Sequence, residues 1–162
     1  MQIFEELQKL DLPRDQFMVL GSGILAALGI RDAGDIDLLI TPDLFDQLRQ
    51  SGWKYEVIEI EGRPREKISK GIAEAFSDFW WNGGNLKTED GIAMAEQIDG
   101  ISFLPLKVLL DVKKAMGREK DLRDIVLIEE YLRAHPKTKY TMQLQPKAFE
   151  NTKSLRRFNL RN

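Results

Sequence analysis

"VLGSGILAALGIRDAGDIDLLI", residues Val19 to Ile40, joins two short motifs that usually belong to different kinds of protein. Its first half continues a buried strand, Phe17 to Leu20, which turns through Gly21-Ser22-Gly23 into the compact helix "ILAALGI", stopped at Gly29 and the "RDAG" turn. Its second half, Asp35 to Ile40, reads as an apolar strand that carries Asp-x-Asp. A glycine turn between a strand and a helix suits a phosphate group, and paired carboxylates on a strand suit a divalent cation.

Two readings compete for the stretch. Gly21-Ser22-Gly23-Ile24-Leu25-Ala26 matches G-x-G-x-x-G/A between a strand and a helix, the setting of a dinucleotide-binding, Rossmann-like fingerprint. That site needs an acid at the carboxyl end of the second strand to hold a ribose, whereas Asp35 and Asp37 stand at its beginning and inside it. In the other reading Asp35 and Asp37, two apart on a strand, point to one face with their bases roughly 6.5 Å apart. Like charges so close repel unless a cation such as Mg²⁺ or Mn²⁺ neutralises them. An isolated Asp-x-Asp on a solvated strand edge needs no ligand; the turn upstream is what suggests a metal-bound triphosphate.

Outward from this stretch the pattern is mixed. Ile3, Phe4, Leu7 and Leu10 mark a first helix that ends near Pro13. Thr41 is an N-cap candidate with Pro42 at the first helical position, and the helix that follows ends around Gly52. "WKYEVIEIEG" alternates as a strand. After the charged turn "GRPRE", the run "GIAEAFSDFWW" is expected to return antiparallel to it. "NGGNLKTED" reads as a loop, and Ile92 to Phe103 as extended chain turning at Asp99-Gly100. Pro105 to Met116 and Leu122 to Leu132 read as a terminal helix pair. The expected fold is α/β (α+β), a small mixed β-sheet with flanking helices and a C-terminal helix pair.

Composition bounds the chemistry. A chain of 162 residues fits one domain with a small appendage, here 1–135 followed by a basic tail, 136–162. There are no cysteines and one histidine, His135, so thiolate catalysis and histidine-rich metal sites are excluded. The lack of cysteines suits a cytoplasmic setting. A net charge of −2 predicts no strong pull on bulk nucleic acid, although Lys137, Lys139, Lys147, Lys153, Arg156, Arg157 and Arg161 face only Glu150 in the tail. That tail could recruit an RNA or protein acceptor. No apolar run approaches the roughly 20 residues that span a bilayer, and no membrane partner is expected.

Gly21-Ser22, a short helix, and then Gly34-Asp35-Ile36-Asp37 on an apolar strand resemble the nucleotidyltransferase superfamily that includes DNA polymerase beta and the minimal nucleotidyltransferases. "LPLKVLLDVKKAMGREKDLRDIVLIEEYL", Leu104 to Leu132, is similar to the small abortive-infection-type members. The resemblance spans Val19 to about Leu132. It implies that Gly21 and Ser22 hold nucleotide phosphates and that Asp35 and Asp37 bind metal, Mg²⁺ or Mn²⁺, with a nucleoside triphosphate, ATP foremost, as substrate. It also implies a third carboxylate on a later strand, for which Glu74 and Asp78 are the candidates; Glu74, inside its apolar run, is favoured. The activity implied is transfer of a nucleoside monophosphate group to a hydroxyl. A catalytically inactive nucleotide-binding or toxin–antitoxin module of the same fold is the alternative.

Lys107, Lys113, Lys114, Arg118 and Lys120 form the densest basic segment before the tail. Lys113 and Arg118 bracket a turn and are the first candidates for clamping phosphate; a solvated helix face paired with Asp111, Asp121 and Asp124 is the plainer explanation. Asp121 is expected to N-cap the last helix. Trp80 and Trp81 cannot both face one core, so either one of them stacks on a base or both belong to a hairpin edge. His135, after a helix end, is expected to serve the helix dipole or simply to be exposed.

Overall fold

A computed structural model describes residues 2–136. The basic tail lies outside the described residues except for its first position. In chain order the elements are α1 (Ile3–Leu10), β1 (Phe17–Val19), α2 (Gly23–Ala27), β2 (Ile36–Ile40), α3 (Pro42–Gln50), β3 (Lys54–Ile60) and β4 (Arg63–Lys70). There follow β5 (Ala73–Phe76), β6 (Asp78–Trp81), β7 (Gly84–Lys87), α4 (Thr88–Met94), β8 (Glu96–Ile98), β9 (Ile101–Phe103), α5 (Leu106–Met116) and α6 (Glu119–Ala134). This is an α+β fold built on a mixed seven-stranded sheet of order β3-β4-β5-β2-β1-β9-β8, with β6 and β7 as a separate two-stranded sheet.

The two apolar runs of the opening stretch form the centre of the large sheet. All of β1 is buried, as is every residue of β2 except Asp37. Such runs lack alternation because both faces of a central strand are covered. β1 and β2 pair antiparallel, with Val19 opposite Leu38, and α2 between them has only five residues. A dinucleotide fold requires parallel strands and a full crossover helix, so the Rossmann-like alternative is overturned. Gly23 is needed for packing: a Cβ there would lie 2.3 Å from Val19 Cγ1.

Thr41 caps α3 as expected, its hydroxyl accepting from the Leu44 amide at 3.3 Å. The hairpin expectation is corrected in detail. The chain reverses at Glu61 and Gly62, both with positive φ, and Arg63 already begins β4. Two left-handed residues match the twist of the flanking strands, so of "GRPRE" only Gly62 is turn and the rest is strand. "GIAEAFSDFWW" divides at Ser77: β5 joins the large sheet, parallel to β2, and β6 leaves it to pair with β7. The expected loop "NGGNLKTED" therefore supplies β7 and the start of α4, which carries on to Met94. Gly91 lets α4 sit close on the sheet, where a Cβ would meet Met18, Leu86 and Leu39 at 3.0–3.3 Å. Beyond α4, β8 and β9 turn at Asp99-Gly100 as expected.

The terminal helix pair is locked by charge. α6 begins at Glu119, three residues before the expected start, with Arg118 and not Asp121 as its N-cap. Asp121 sits one turn inside, where its carboxylate accepts from the Arg118 amide at 3.3 Å. Lys113, expected to clamp phosphate, is 6% exposed and lies 3.0 Å from Asp121 and 2.7 Å from Asp124. Asp124 also takes a two-pronged contact from Arg31 at 2.6 and 2.7 Å, which ties α6 to the connection between α2 and β2. Burial alone would push the Asp121 carboxyl up, but bonds from Arg118 and Lys113 hold it down at about 2. Its stabilising contribution is complete above its ordinary range and fades only as the pH falls toward 2. Among the described residues no helix is long and apolar enough to cross a membrane.

Replacing Lys113 by Met removes the ammonium that two buried carboxylates share and leaves them only the partly exposed Arg31 and Arg118. The expected loss is about 3–5 kcal/mol of unfolding free energy at pH 7, read from urea denaturation. A change below about 1 kcal/mol, the range of ordinary exposed ion pairs, would contradict the burial of this network.

Candidate active site

The glycine turn and the aspartates meet. The Leu20 amide donates to the Asp37 carbonyl at 2.8 Å. Gly21 then turns with a φ of +56°, and a Cβ at this position would stand 3.0 Å from Asp37 Oδ2. Only glycine combines that backbone angle with so close an approach. Ser22 follows, and nothing among the described residues hydrogen-bonds its hydroxyl. A helix as short as α2 carries little dipole, and the Gly23 amide donates to the Leu20 carbonyl at 3.3 Å, so what this corner offers an anion is the N–H groups of Gly21 and Ser22 and the Ser22 hydroxyl.

Asp35 is exposed just before β2, and Asp37 is partly buried within it. Parallel pairing sets Glu74 of β5 directly opposite Asp37, on the same face by the pleat. Burial, reinforced by the charges of Asp35 and Glu74, pushes the Asp37 carboxyl up to about 6; Arg65 and Lys120 pull the other way. Three carboxylates thus share one field. Asp78, the other candidate for the third position, lies across the break at Ser77 in the separate hairpin sheet, where Arg65 reaches it at 3.2 Å.

Glu74 has a resident partner. Lys67 of β4, its side chain 11% exposed, lies 2.7 Å from Glu74 and 2.8 Å from Glu56. Among the described residues no three acidic or histidine side chains are already gathered into a set that could hold a metal ion. Of the basic segment, Arg118 remains nearly half exposed while bonded to Asp121 at 2.6 Å, and it lies within the field of Asp37 and Glu61. Lys107 is exposed, and Lys114 pairs at the surface with Glu129 at 2.6 Å. His135 is exposed at the end of α6, with Nδ1 2.9 Å from the Tyr131 carbonyl and its ring stacked on Tyr131.

Lys67 and Arg65 were not singled out from the sequence, and Lys120 was named only as a member of the basic segment. A signal for the first two existed: Arg63, Arg65, Lys67 and Ser69 alternate with other residues at the period of a strand, which places them on one face. The reading of "GRPRE" as a turn concealed it.

No protein-family model and no curated protein matches the chain. Among solved structures, the chain is similar to the crystal structure of ANT(2")-Ia in complex with adenylyl-2"-tobramycin, at 18% identity and a TM-score of 0.45, over 83% of this chain and 88% of that one.

The raised Asp37 carboxyl has a measurable consequence. Its proton is held more tightly in the folded than in the unfolded chain, so its contribution is most favourable below pH 4 and is lost as the pH rises through about 6. In the presence of a chelator, the stability of Asp37→Asn relative to wild type is expected to increase between pH 4 and pH 8 by about 2–3 kcal/mol. Denaturant titrations at several pH values measure this; a difference independent of pH would show that Asp37 is not in the field described.

Proposed function

We propose that this protein is a metal-dependent nucleotidyltransferase that moves a nucleoside monophosphate group from a nucleoside triphosphate, with ATP as the first candidate, to a hydroxyl acceptor. The observation that carries the reading is the close approach of Gly21 to the Asp37 carboxylate, which a Cβ would bring to 3.0 Å, with Asp35 and Glu74 on either side. A turn that can hold phosphate and acids that can hold cations meet at one point. The similarity of Leu104 to Leu132 to abortive-infection-type members adds a candidate subgroup.

In this reading the turn amides and the Ser22 hydroxyl hold phosphate oxygens. Arg118 and Lys120 supply positive charge near them, the part that the sequence led us to expect of Lys113 and Arg118. The donor set suits Mg²⁺ or Mn²⁺: oxygen ligands only, with Asp37 destabilised by two like charges that a cation would relieve. Asp35 and Asp37 would hold the ion, with Glu74 as the third candidate ligand, and the ion would supply Lewis-acid stabilisation of charge on the phosphate oxygens. The acceptor oxygen forms a bond to the α-phosphorus as the bond to the β-phosphate oxygen breaks, and pyrophosphate leaves with that electron pair. In this reading Glu74 takes the proton of the acceptor hydroxyl.

Calorimetric titration with Mg·ATP is the test. Wild type is expected to bind, and Asp35→Asn/Asp37→Asn to bind at least roughly a hundredfold more weakly, since two charged ligands are lost; equal affinities would refute the site. Release of pyrophosphate on incubation with Mg²⁺ and nucleotides tests turnover.

One observation favours a second reading, an inactive nucleotide-binding or toxin–antitoxin module: Lys67 occupies the Glu74 carboxylate. If that ammonium restrains a working site, Lys67→Met should raise Mn²⁺ affinity, measured by electron paramagnetic resonance, by roughly tenfold, as expected for removing one nearby positive charge. Unchanged affinity would leave Lys67 with no part in the metal site.

A further inference from the structure

Within the β6–β7 hairpin the pleat sends Phe79 and Trp81 one way and Trp80 the other. Phe79 and Trp81 pack against the core with ring centroids 5.2 Å apart. Trp80 takes no part in that core. It faces two guanidinium groups instead, Arg63 at 5.5 Å and Arg65 at 6.0 Å from its ring centre. A cavity of about 740 Å³ opens beside it, bounded by the hairpin, by Glu61 and Arg63 at the turn between β3 and β4, and by the start of α4. That volume falls within the usual range for small-molecule sites, about 300–1,000 Å³.

The lining describes its ligand. Asn82 and Asn85 present amides that hydrogen-bond no other described residue. The carboxylates Glu61, Asp78 and Glu89 outnumber the lining cations Arg63 and Lys87, which disfavours a bare phosphate. A flat aromatic face, carboxamides and carboxylate acceptors together suit a planar heterocycle with a hydrogen-bonding edge. Nucleobases stack on indole whatever their identity, and Asn and Asp or Glu recognise their exocyclic amines and ring nitrogens. The cavity wall and the carboxylate site are linked through charge. Arg65 pairs with Asp78 on its wall while acting on Asp37, and Arg118 lies in the field of both Asp37 and Glu61.

We propose that this cavity is a nucleobase subsite with Trp80 as its stacking platform. It deepens the nucleotidyl-transfer reading, on which it rests for the presence of a nucleotide. The base is that of the donor triphosphate or of a nucleotide acceptor. Calorimetric titration with adenosine, guanosine, cytidine and uridine in the absence of metal tests the subsite apart from the phosphate site. Wild type is expected to bind at least one nucleoside, Trp80→Ala to bind it roughly tenfold or more weakly, and Trp80→Phe to keep most of the affinity. Asp37→Asn should leave nucleoside binding intact even as Mg·ATP binding fails, which separates this proposal from the metal site. Displacement of the nucleoside by Mg·ATP assigns the donor base, and simultaneous binding assigns the acceptor. Absence of binding by all four nucleosides, or equal affinity in Trp80→Ala, overturns the proposal. Should Trp80→Ala not fold, Asn82→Ala/Asn85→Ala decides: lost preference among nucleosides supports the subsite, and an unchanged preference overturns it.

Discussion

The antiparallel pairing of β1 with β2 is the constraint on which the rest of the molecule depends. In a parallel pair the exit of one strand and the entry of the next lie at opposite ends of the sheet, and a long crossover must join them. Antiparallel pairing brings exit and entry to the same end, so a connection containing only the short helix α2 suffices. The Leu20 amide bonded to the Asp37 carbonyl closes that corner, and Gly21 rests on the Asp37 carboxylate because no side chain intervenes. The adjacency of turn and acids is a consequence of strand direction.

Around the corner, charge is organised in two chains of ion pairs. One runs from Arg31 through Asp124, Lys113 and Asp121 to Arg118, and so anchors the helix pair to the connection that leads into β2. The other runs along the sheet from Lys54 through Glu56 and Lys67 to Glu74. The buried members of the first satisfy one another, which is the condition for tolerating ions inside a fold. Among the described residues Asp37 has no such direct partner: Arg65 and Lys120 act on it from a distance, and burial with the charges of Asp35 and Glu74 pushes its carboxyl up. An acid left uncompensated beside a network that pairs the buried Asp121 and Asp124 is a candidate for function.

The break at Ser77 governs the other side of the site. Had β5 and β6 formed one strand, Asp78 would stand on the face of Glu74, two residue pairs farther along the sheet. By leaving the sheet, the chain places Asp78 with Arg65 and turns Trp80 away from the core that receives Phe79 and Trp81. Both indoles border the cavity, and only Trp81 also packs against the core. An alternating strand pattern continues through such a break unchanged, so its location is hidden from any window that follows hydrophobicity alone.

The sequence by itself determined the apolar strands, the capped helix at Thr41, the turn at Gly21 and the placement of Asp35 and Asp37 at the head of β2, because these follow from local backbone preference and period. It also offered Glu74 over Asp78, since an acid within an apolar run sits inside a sheet. Local pattern did not reveal that Lys113 is buried among Asp121 and Asp124, as the period of a helix places a lysine on a face without saying what covers it. Nor did it reveal that Lys67 meets Glu74. Those pairings are made by strand direction, register and the docking of α6 on the connection to β2, and they depend on contacts between residues far apart in the chain. Tertiary structure alone decided them.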